Sequence, residues 1–164
     1  MMHNHLIYRL IIVTTAGAAL LYAAHSLGYI APLFKSDASY LSYAIAALFA
    51  FGLASTFTRA ARVGRALNLR YTAPIDQRNV AKMDAKNAHI ADISGWLLQL
   101  GFLGTVIGLW IALAGLSADN TDALIIGLKT AVGTTILGGF LSLWTDINRR
   151  MLDTATECLV EDMK

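Results

Sequence analysis

The polar side chains best placed for chemistry in the second half of this chain are hydroxyls surrounded by apolar and small residues. Thr105 lies in one long uncharged stretch, and Thr134 and Thr135 lie in the next. A hydroxyl donates and accepts hydrogen bonds, so it can accompany a carboxylate through both its charged and its neutral state. A threonine in an apolar helix often bonds only a backbone carbonyl one turn back. That structural explanation suffices for a single threonine. It explains less well why both stretches carry threonines among their small residues.

Residues typical of enzymes and metal sites form no recognisable pattern. The histidines His3, His5, His25 and His89 are scattered and lack ligand spacing, although His3 and His5 leave a weak metal clamp near the N-terminus open. The sequence has no Ser/His/Asp set and no phosphate-binding glycine loop outside the apolar stretches. Cys158 is the single cysteine, so no disulfide is expected. We therefore predict that the protein is not an enzyme and holds no cofactor or metal.

Four apolar stretches would have to position these hydroxyls, and each is long enough to cross a bilayer. About 20 helical residues span the ~30 Å hydrocarbon core. Charged residues make up 15% of the chain and apolar residues 56%, whereas soluble domains carry about 25% charged residues. The sequence predicts an all-α polytopic membrane protein with a single membrane domain. Its predicted transmembrane helices are residues 7–30, 39–58, 93–116 and 122–145, with a connecting loop at 59–92 and a tail at 146–164. We expect the second helix to continue past the membrane through Arg59, Arg62 and Arg65.

Basic residues flank these stretches unevenly. Arg9 precedes the first, Arg149 and Arg150 follow the last, and the segment 59–92 is rich in Arg and Lys, whereas the two short outer loops carry only Lys35. The positive-inside rule places both termini and the middle segment in the cytoplasm. The same rule accounts for the net charge of +2 without a nucleic-acid partner. A cleaved signal peptide at the first stretch is disfavoured by the length of the apolar run and the lack of a clear cleavage site.

Small residues recur every three or four positions on the last two stretches, which places them on one face of each helix. Small faces allow membrane helices to approach backbone to backbone. We predict a tight helical hairpin whose faces also serve assembly into a homo-oligomer. The predicted helix-packing face consists of Gly101, Gly104, Gly108, Gly127, Ala131, Gly138 and Ser142.

No Asp or Glu occurs at membrane depth in any of the four stretches. A protein that moves protons alone usually keeps a titratable group there. Lys129 is the only candidate, and Asp122 shares its helix face. The long side chain of Lys129 can carry its ammonium group to the membrane–water interface. We favour this interfacial position of the ammonium over a role of Lys129 in an ion pathway.

Two short motifs resemble a known family. Residues 101–108 read GFLGTVIG and residues 131–138 read AVGTTILG. They are similar to the G-L-x-G-T-V-x-G and A-L-x-x-T-x-x-G signatures of the MotA/TolQ/ExbB proton-channel family. The order of the motifs, their hairpin spacing and the basic segment ahead of them also fit. The resemblance covers roughly residues 96–146.

The resemblance implies a specific assembly in the bacterial inner membrane. Family members form a homo-oligomeric ring, a pentamer, around a dimer of single-span partners of the MotB/TolR/ExbD kind. Each partner carries one membrane Asp that takes up and releases the transported proton, or the ion is Na⁺. Ring threonines line the path, which by position would be Thr105 and Thr135, with Thr134 beside them. Ion flow then turns ring against partner and delivers mechanical work.

Two departures from the family pattern concern proline. Leu98 and Trp144 stand where members often have prolines that kink their helices. The segment 59–92 is also much shorter than the rotor-engaging domain of flagellar stators, which argues against a flagellar role. The main alternative is a small four-span structural or adaptor protein that moves no ion. A self-contained transporter fits less well, because the spans hold no acidic residue at membrane depth.

Overall fold

The computed structural model describes residues 3–35, 37–69, 77–117 and 120–161, apart from the side chains of 3–6, 66–69, 77–88 and 158–161. Its elements are the helices α1 (His3–Ser26), α2 (Ile30–Lys35), α3 (Leu41–Leu69), α4 (Gln77–Ser117) and α5 (Thr121–Glu161). Four of them are long and apolar enough to cross a membrane, over Ile7–Ser26, Leu41–Arg65, His89–Ser117 and Thr121–Glu157. The all-helical, four-span fold predicted from the sequence is confirmed.

Three helices extend well beyond the predicted spans. α3 continues to Leu69 and α4 begins at Gln77, so most of the segment predicted as a loop is helical. α5 likewise continues to Glu161, through the predicted tail. Along this last extension, Arg149 bonds Asp146 (3.0 Å) and Asp153 (2.8 Å), and Arg150 bonds Asp146 (2.9 Å). Such i,i+3 and i,i+4 pairs support an exposed helix modestly.

A small apolar core joins these extensions. Ala60 and Val63 of α3 and Ile90 of α4 pack with Leu152 of α5 and with Leu10 of α1, and all five side chains are buried. The helices therefore remain bundled at the end that the sequence assigns to the cytoplasm. This core was not predicted, because polar residues separate its apolar positions in the sequence.

α1 ends at Ser26, before the end of the predicted span 7–30, because Gly28 takes a left-handed conformation (φ 79°). The amide of Tyr29 donates to the carbonyl of Ala24 (3.0 Å), and that of Gly28 donates to the carbonyl of His25 (2.9 Å). These two bonds form a Schellman motif, which satisfies the last carbonyls of a helix and reverses the chain. The short helix α2 then folds back against the bundle.

Asp37 organises the start of α3. Its carboxylate accepts hydrogen bonds from the amide (2.9 Å) and hydroxyl (2.6 Å) of Ser39 and from the amide of Ser42 (2.7 Å). These bonds satisfy an amide that the helix start leaves unpaired. Burial raises the pKa of Asp37, but the hydrogen bonds from Ser39 and Ser42 outweigh it and hold the pKa below its usual value.

A second apolar core lies around Trp144 of α5. Its side chain is 6% exposed and packs with Ile45, Ile93, Leu97 and Leu141. It also fills the space above Gly17 of α1, where a β-carbon would lie 2.5 Å from the indole ring. Trp144 therefore helps α5 to hold α1, together with the contact of Leu152 with Leu10.

Candidate functional site

The interface between α4 and α5 is a close contact of two backbones. A β-carbon on Gly108 would lie 2.5 Å from the amide nitrogen of Ala131 and 2.6 Å from the carbonyl oxygen of Gly127. A β-carbon on Gly138 would lie 2.7 Å from the Cα of Gly101. Any larger side chain at these positions would force the helices apart.

The structure brings the whole predicted helix-packing face into this interface, but it does so within one chain. Gly104 faces the side chain of Thr134, Gly127 faces Ala112, and Ala131 is 4% exposed. The glycines that the sequence suggested for contacts between copies are therefore occupied inside the hairpin. The set is Gly101, Gly104, Gly108, Gly127, Ala131, Gly138 and Ser142.

The antiparallel register also includes Gly115, which sequence reasoning missed. A β-carbon there would lie 2.6 Å from the amide nitrogen of Leu124. Beyond it, the side chain of Asn120 caps α5 by accepting the amide of Ala123 (3.1 Å). The close contact thus runs to the turn between the two helices.

Thr105 and Thr135 meet across the middle of this interface. Their hydroxyls are hydrogen-bonded to each other, and either can be the donor. Thr135 also approaches the carbonyl of Ala131 (2.8 Å), and Thr105 approaches that of Gly101 (3.1 Å). Each hydroxyl has one proton and more than one acceptor in reach, so the pair can reverse the direction of its hydrogen bond. Thr105 is half-buried and Thr135 is exposed on the surface of the chain.

Thr134 lies apart from this pair. Its side chain is fully buried between α4 and α5 and donates to the carbonyls of Thr130 (2.9 Å) or Ala131 (3.2 Å). Its place in an ion pathway stays a prediction, and its burial against Gly104 favours packing. Its backbone bond is the one expected of a threonine in any membrane helix.

A second hydroxyl contact lies nearer the inner end of the hairpin. The hydroxyl of Ser94 reaches the carbonyl of Ser142 (3.0 Å), that of Ser142 reaches the carbonyl of Ser94 (2.9 Å), and the two oxygens are 3.1 Å apart. Sequence reasoning identified only Ser142. Ser94 lies two helical turns before Gly101, which places it on the same face of α4 and could have revealed it.

Three further residues singled out in the sequence take distinct positions. Lys129 is exposed, and no ion pair joins it to Asp122 in the described structure. Leu98, at one missing proline, is 57% exposed, whereas Trp144, at the other, is buried between α1 and α3.

No group of His, Cys, Asp and Glu among the described residues could hold a metal ion. The side chains of His3 and His5, where a weak clamp was left open, lie outside the described residues. The chemistry that the hairpin does offer is hydrogen bonding by paired hydroxyls inside an apolar span.

Comparison with known families gives one match. The model of the MotA/TolQ/ExbB proton channel family matches residues 44–164, which include α4, α5 and almost all of α3. This is a family of membrane channel proteins, and it is not an enzyme family. The comparisons with curated proteins and with solved structures each gave no match.

Proposed function

Because the chain belongs to the MotA/TolQ/ExbB proton channel family, we propose that it is the ring-forming subunit of an ion-driven motor in the bacterial inner membrane. The ring is a homopentamer and surrounds a dimer of single-span partners, each with a membrane Asp. Thr105 and Thr135 face that Asp and hydrogen-bond it or the water that serves it. The transported ion is the proton, with Na⁺ as the alternative.

The observation that carries this proposal is the exposure of the Thr105–Thr135 pair at the middle of both spans. Most other inter-helix polar groups of the hairpin are turned inward, since Thr134 is fully buried and Ser94 is 8% exposed. Thr135, by contrast, opens onto the surface where a partner helix would lie. A hydroxyl pair that can reverse its hydrogen bond suits a carboxylate that alternates between charged and neutral forms.

The absence of an acid at membrane depth supports a separate partner. A lone carboxylate in hydrocarbon is strongly disfavoured when charged, so it needs polar company or stays protonated. Thr105 and Thr135 are polar groups that this chain offers at mid-span, and it supplies no carboxylate there. The acid and the hydroxyls would then come from different chains and meet only in the assembled complex.

One observation favours the alternative of a structural or adaptor protein. Thr105 and Thr135 are satisfied within the chain, by each other and by backbone carbonyls. Such hydroxyls could serve packing alone. The two functions therefore differ in whether removing these hydroxyls changes ion flux or only stability.

Proton uptake by liposomes that hold the chain with its co-purified partner distinguishes them. Thr105→Val with Thr135→Val keeps the shape of both side chains and removes both hydroxyls. We expect flux to fall about five- to thirty-fold, from about 1–2 kcal/mol per lost hydrogen bond in the limiting step. A sodium gradient run in parallel identifies the ion.

Thr15→Val is the matched control, because Thr15 lies exposed on α1 and bonds only the carbonyls of Ile11 (2.8 Å) and Ile12 (2.9 Å). Its flux should equal that of the unmodified chain. Undiminished flux in the double variant would leave both threonines as packing residues and favour the adaptor function.

A further inference from the structure

An apolar cavity of about 670 Å³ lies between α1, α2, α3 and α5. Its wall includes Ala24, Leu33, Ala46, Phe49, Ile136 and Phe140, and among all its lining residues only Tyr29 carries a polar side-chain atom. The volume is within the ~300–1,000 Å³ of ordinary ligand pockets. Such pockets normally place a few polar groups to orient their ligand, and this wall has almost none. The part of the ligand inside must therefore be hydrocarbon.

A lysine lies beyond one end of this cavity. Lys129 is seven residues before Ile136 and eleven before Phe140, which places the three on one face of α5. Between them, Leu33 of α2 packs on Gly133, where a β-carbon would lie 3.1 Å from the leucine. Lys129 is exposed, and no ion pair holds it in the described structure. Lys35, also exposed, ends α2 on the same side of the bundle.

We propose that this cavity binds an acyl chain of an anionic phospholipid whose phosphate is held by Lys129, with Lys35 contributing. The cavity lies beside the transmembrane spans, where acyl chains are the hydrocarbon at hand. The lysines supply the charge that complements a phosphate at its end. A juxtamembrane lysine near an anionic lipid surface is stabilised by that charge. The proposal gives Lys129 a ligand, goes beyond the motor function and needs no partner protein.

Trp144 provides a local reporter for the occupied cavity. Its ring centroid lies 5.0 Å from that of Phe49 and 6.0 Å from that of Phe140, and both phenylalanines line the cavity. The indole is only 6% exposed, so bulk lipid reaches it poorly. The full-length chain with Trp96→Phe and Trp110→Phe keeps this single tryptophan. An acyl chain brominated along its length should quench Trp144 when it enters the cavity.

The experiment compares brominated phosphatidylglycerol, phosphatidylcholine and free fatty acid in vesicles of the same chain length. We expect saturable quenching that favours phosphatidylglycerol over phosphatidylcholine. Ala46→Phe and Ala24→Leu fill the cavity from two helices and should each abolish most of the quenching. Ala114→Phe, on the exposed face of α4, is the matched control and should leave it unchanged. Lys129→Gln should reduce the preference for phosphatidylglycerol by about fivefold, the effect expected of one lysine near an anionic lipid.

Three results would overturn the proposal. Equal quenching in both cavity-filling variants and the Ala114→Phe control would show that no chain enters the cavity. Equal quenching of the unmodified chain by both phospholipids would show that the net negative charge of the headgroup is not recognised. Stronger quenching by the fatty acid than by phosphatidylglycerol would identify a different amphiphile. None of these results would affect the proton-flux test, which depends on Thr105 and Thr135.

Discussion

The α4–α5 hairpin and helix α1 are attached to the bundle in opposite ways. In the hairpin, glycines bring two backbones into direct contact, and hydroxyls bond across at Thr105–Thr135 and Ser94–Ser142. α1 instead rests on the other helices through Leu10, Gly17 and a few partly buried side chains. Within an apolar 18-residue window of each span, the buried share of residues is 39% in α5 but 11% in α1.

The two kinds of attachment differ in how firmly they fix the distances between helices. Hydrogen-bonded hydroxyls need fixed distances, and a backbone contact without side chains between the helices holds those distances with little freedom. α1 exposes large apolar side chains, among them Ile12, Leu20 and Tyr22, to whatever surrounds the chain. The candidate ion-handling residues thus lie on the most closely packed pair of helices, and α1, with the smallest buried share, carries none of them.

The largest effect should come from overfilling the hairpin contact. In Gly108→Leu the new side chain would meet backbone atoms of Ala131 and Gly127, which a rotamer change does not relieve. We expect a loss beyond the ~1–3 kcal/mol of ordinary overpacked cores, up to failure to fold. Equilibrium unfolding of the detergent-solubilised chain, followed by circular dichroism, measures it.

Gly139→Leu is the control for that variant, because no heavy atom lies within 4 Å of a β-carbon there. It should match or exceed the unmodified chain by up to about 1 kcal/mol, the difference in helix propensity. Similar unfolding of both variants would show that the hairpin is not closely packed.

A second, smaller effect should come from Trp144→Ala, which removes one of the side chains that hold α1. We expect a loss of about 3 kcal/mol, near the lower end for a buried tryptophan, because lipid or α1 can partly fill the space. Trp110→Ala, at an exposed position (71%), should be nearly neutral in the same unfolding assay. Equal losses in the two variants would mean that α1 is held elsewhere.

The two hydroxyl contacts of the hairpin should differ in what they support. Ser94→Ala, Ser142→Ala and the double variant form a cycle, and we expect a coupling of about 0.6–1.7 kcal/mol, typical of hydrogen bonds between membrane helices. Proton flux should stay unchanged, unlike that of the Thr105 and Thr135 variants. A flux loss in the serine variants as large as in the threonine variants would remove the distinction between buried and exposed contacts.

The smallest effect should appear at the start of α3 and depend on pH. The pKa of Asp37 is lowered in the folded chain, so its stabilising effect is present above the unfolded value of ~3.9 and is lost as pH falls through the folded value. The unmodified chain should therefore lose more stability between about pH 6 and pH 3 than Asp37→Asn, which keeps a capping oxygen without a charge. Melting temperatures in detergent compare the two, and identical pH dependence would exclude Asp37 as the cause.

Hydrophobic length alone was enough to predict the four-span helical fold, because a bilayer leaves a long apolar stretch few other structures. The spacing of Gly101, Gly104 and Gly108 likewise predicted which face of α4 would pack closely. The spacing does not identify the helix against which this face packs. The structure shows that it packs against α5 of the same chain.

The missed features depend on contacts between distant segments. Trp144 stood out in the sequence as a residue in place of a family proline, yet the absence of a side chain at Gly17 lets α1 close over it. The helical tail beyond 145 and the core of Ala60, Val63 and Leu152 were missed, because charged residues separate these apolar positions in the sequence and the three side chains meet only in the bundle. Thr135 is exposed and Thr134 is buried because of the rotation of α5 about its own axis. That rotation is set by the packing of α5 against the other helices, so the sequence of α5 alone does not predict it.

The length of α4 and α5 has a mechanical consequence. Each is 41 residues long, about 60 Å at 1.5 Å per residue and roughly twice the thickness of the hydrocarbon core. With the Thr105–Thr135 pair as the fulcrum of a tilt, each helix would have an arm of about 40 Å toward its inner end. A tilt of about 5° at the fulcrum would sweep the inner tips through about 3 Å. Such leverage would turn a change of hydrogen-bond partner at mid-membrane into a displacement large enough for another protein to sense.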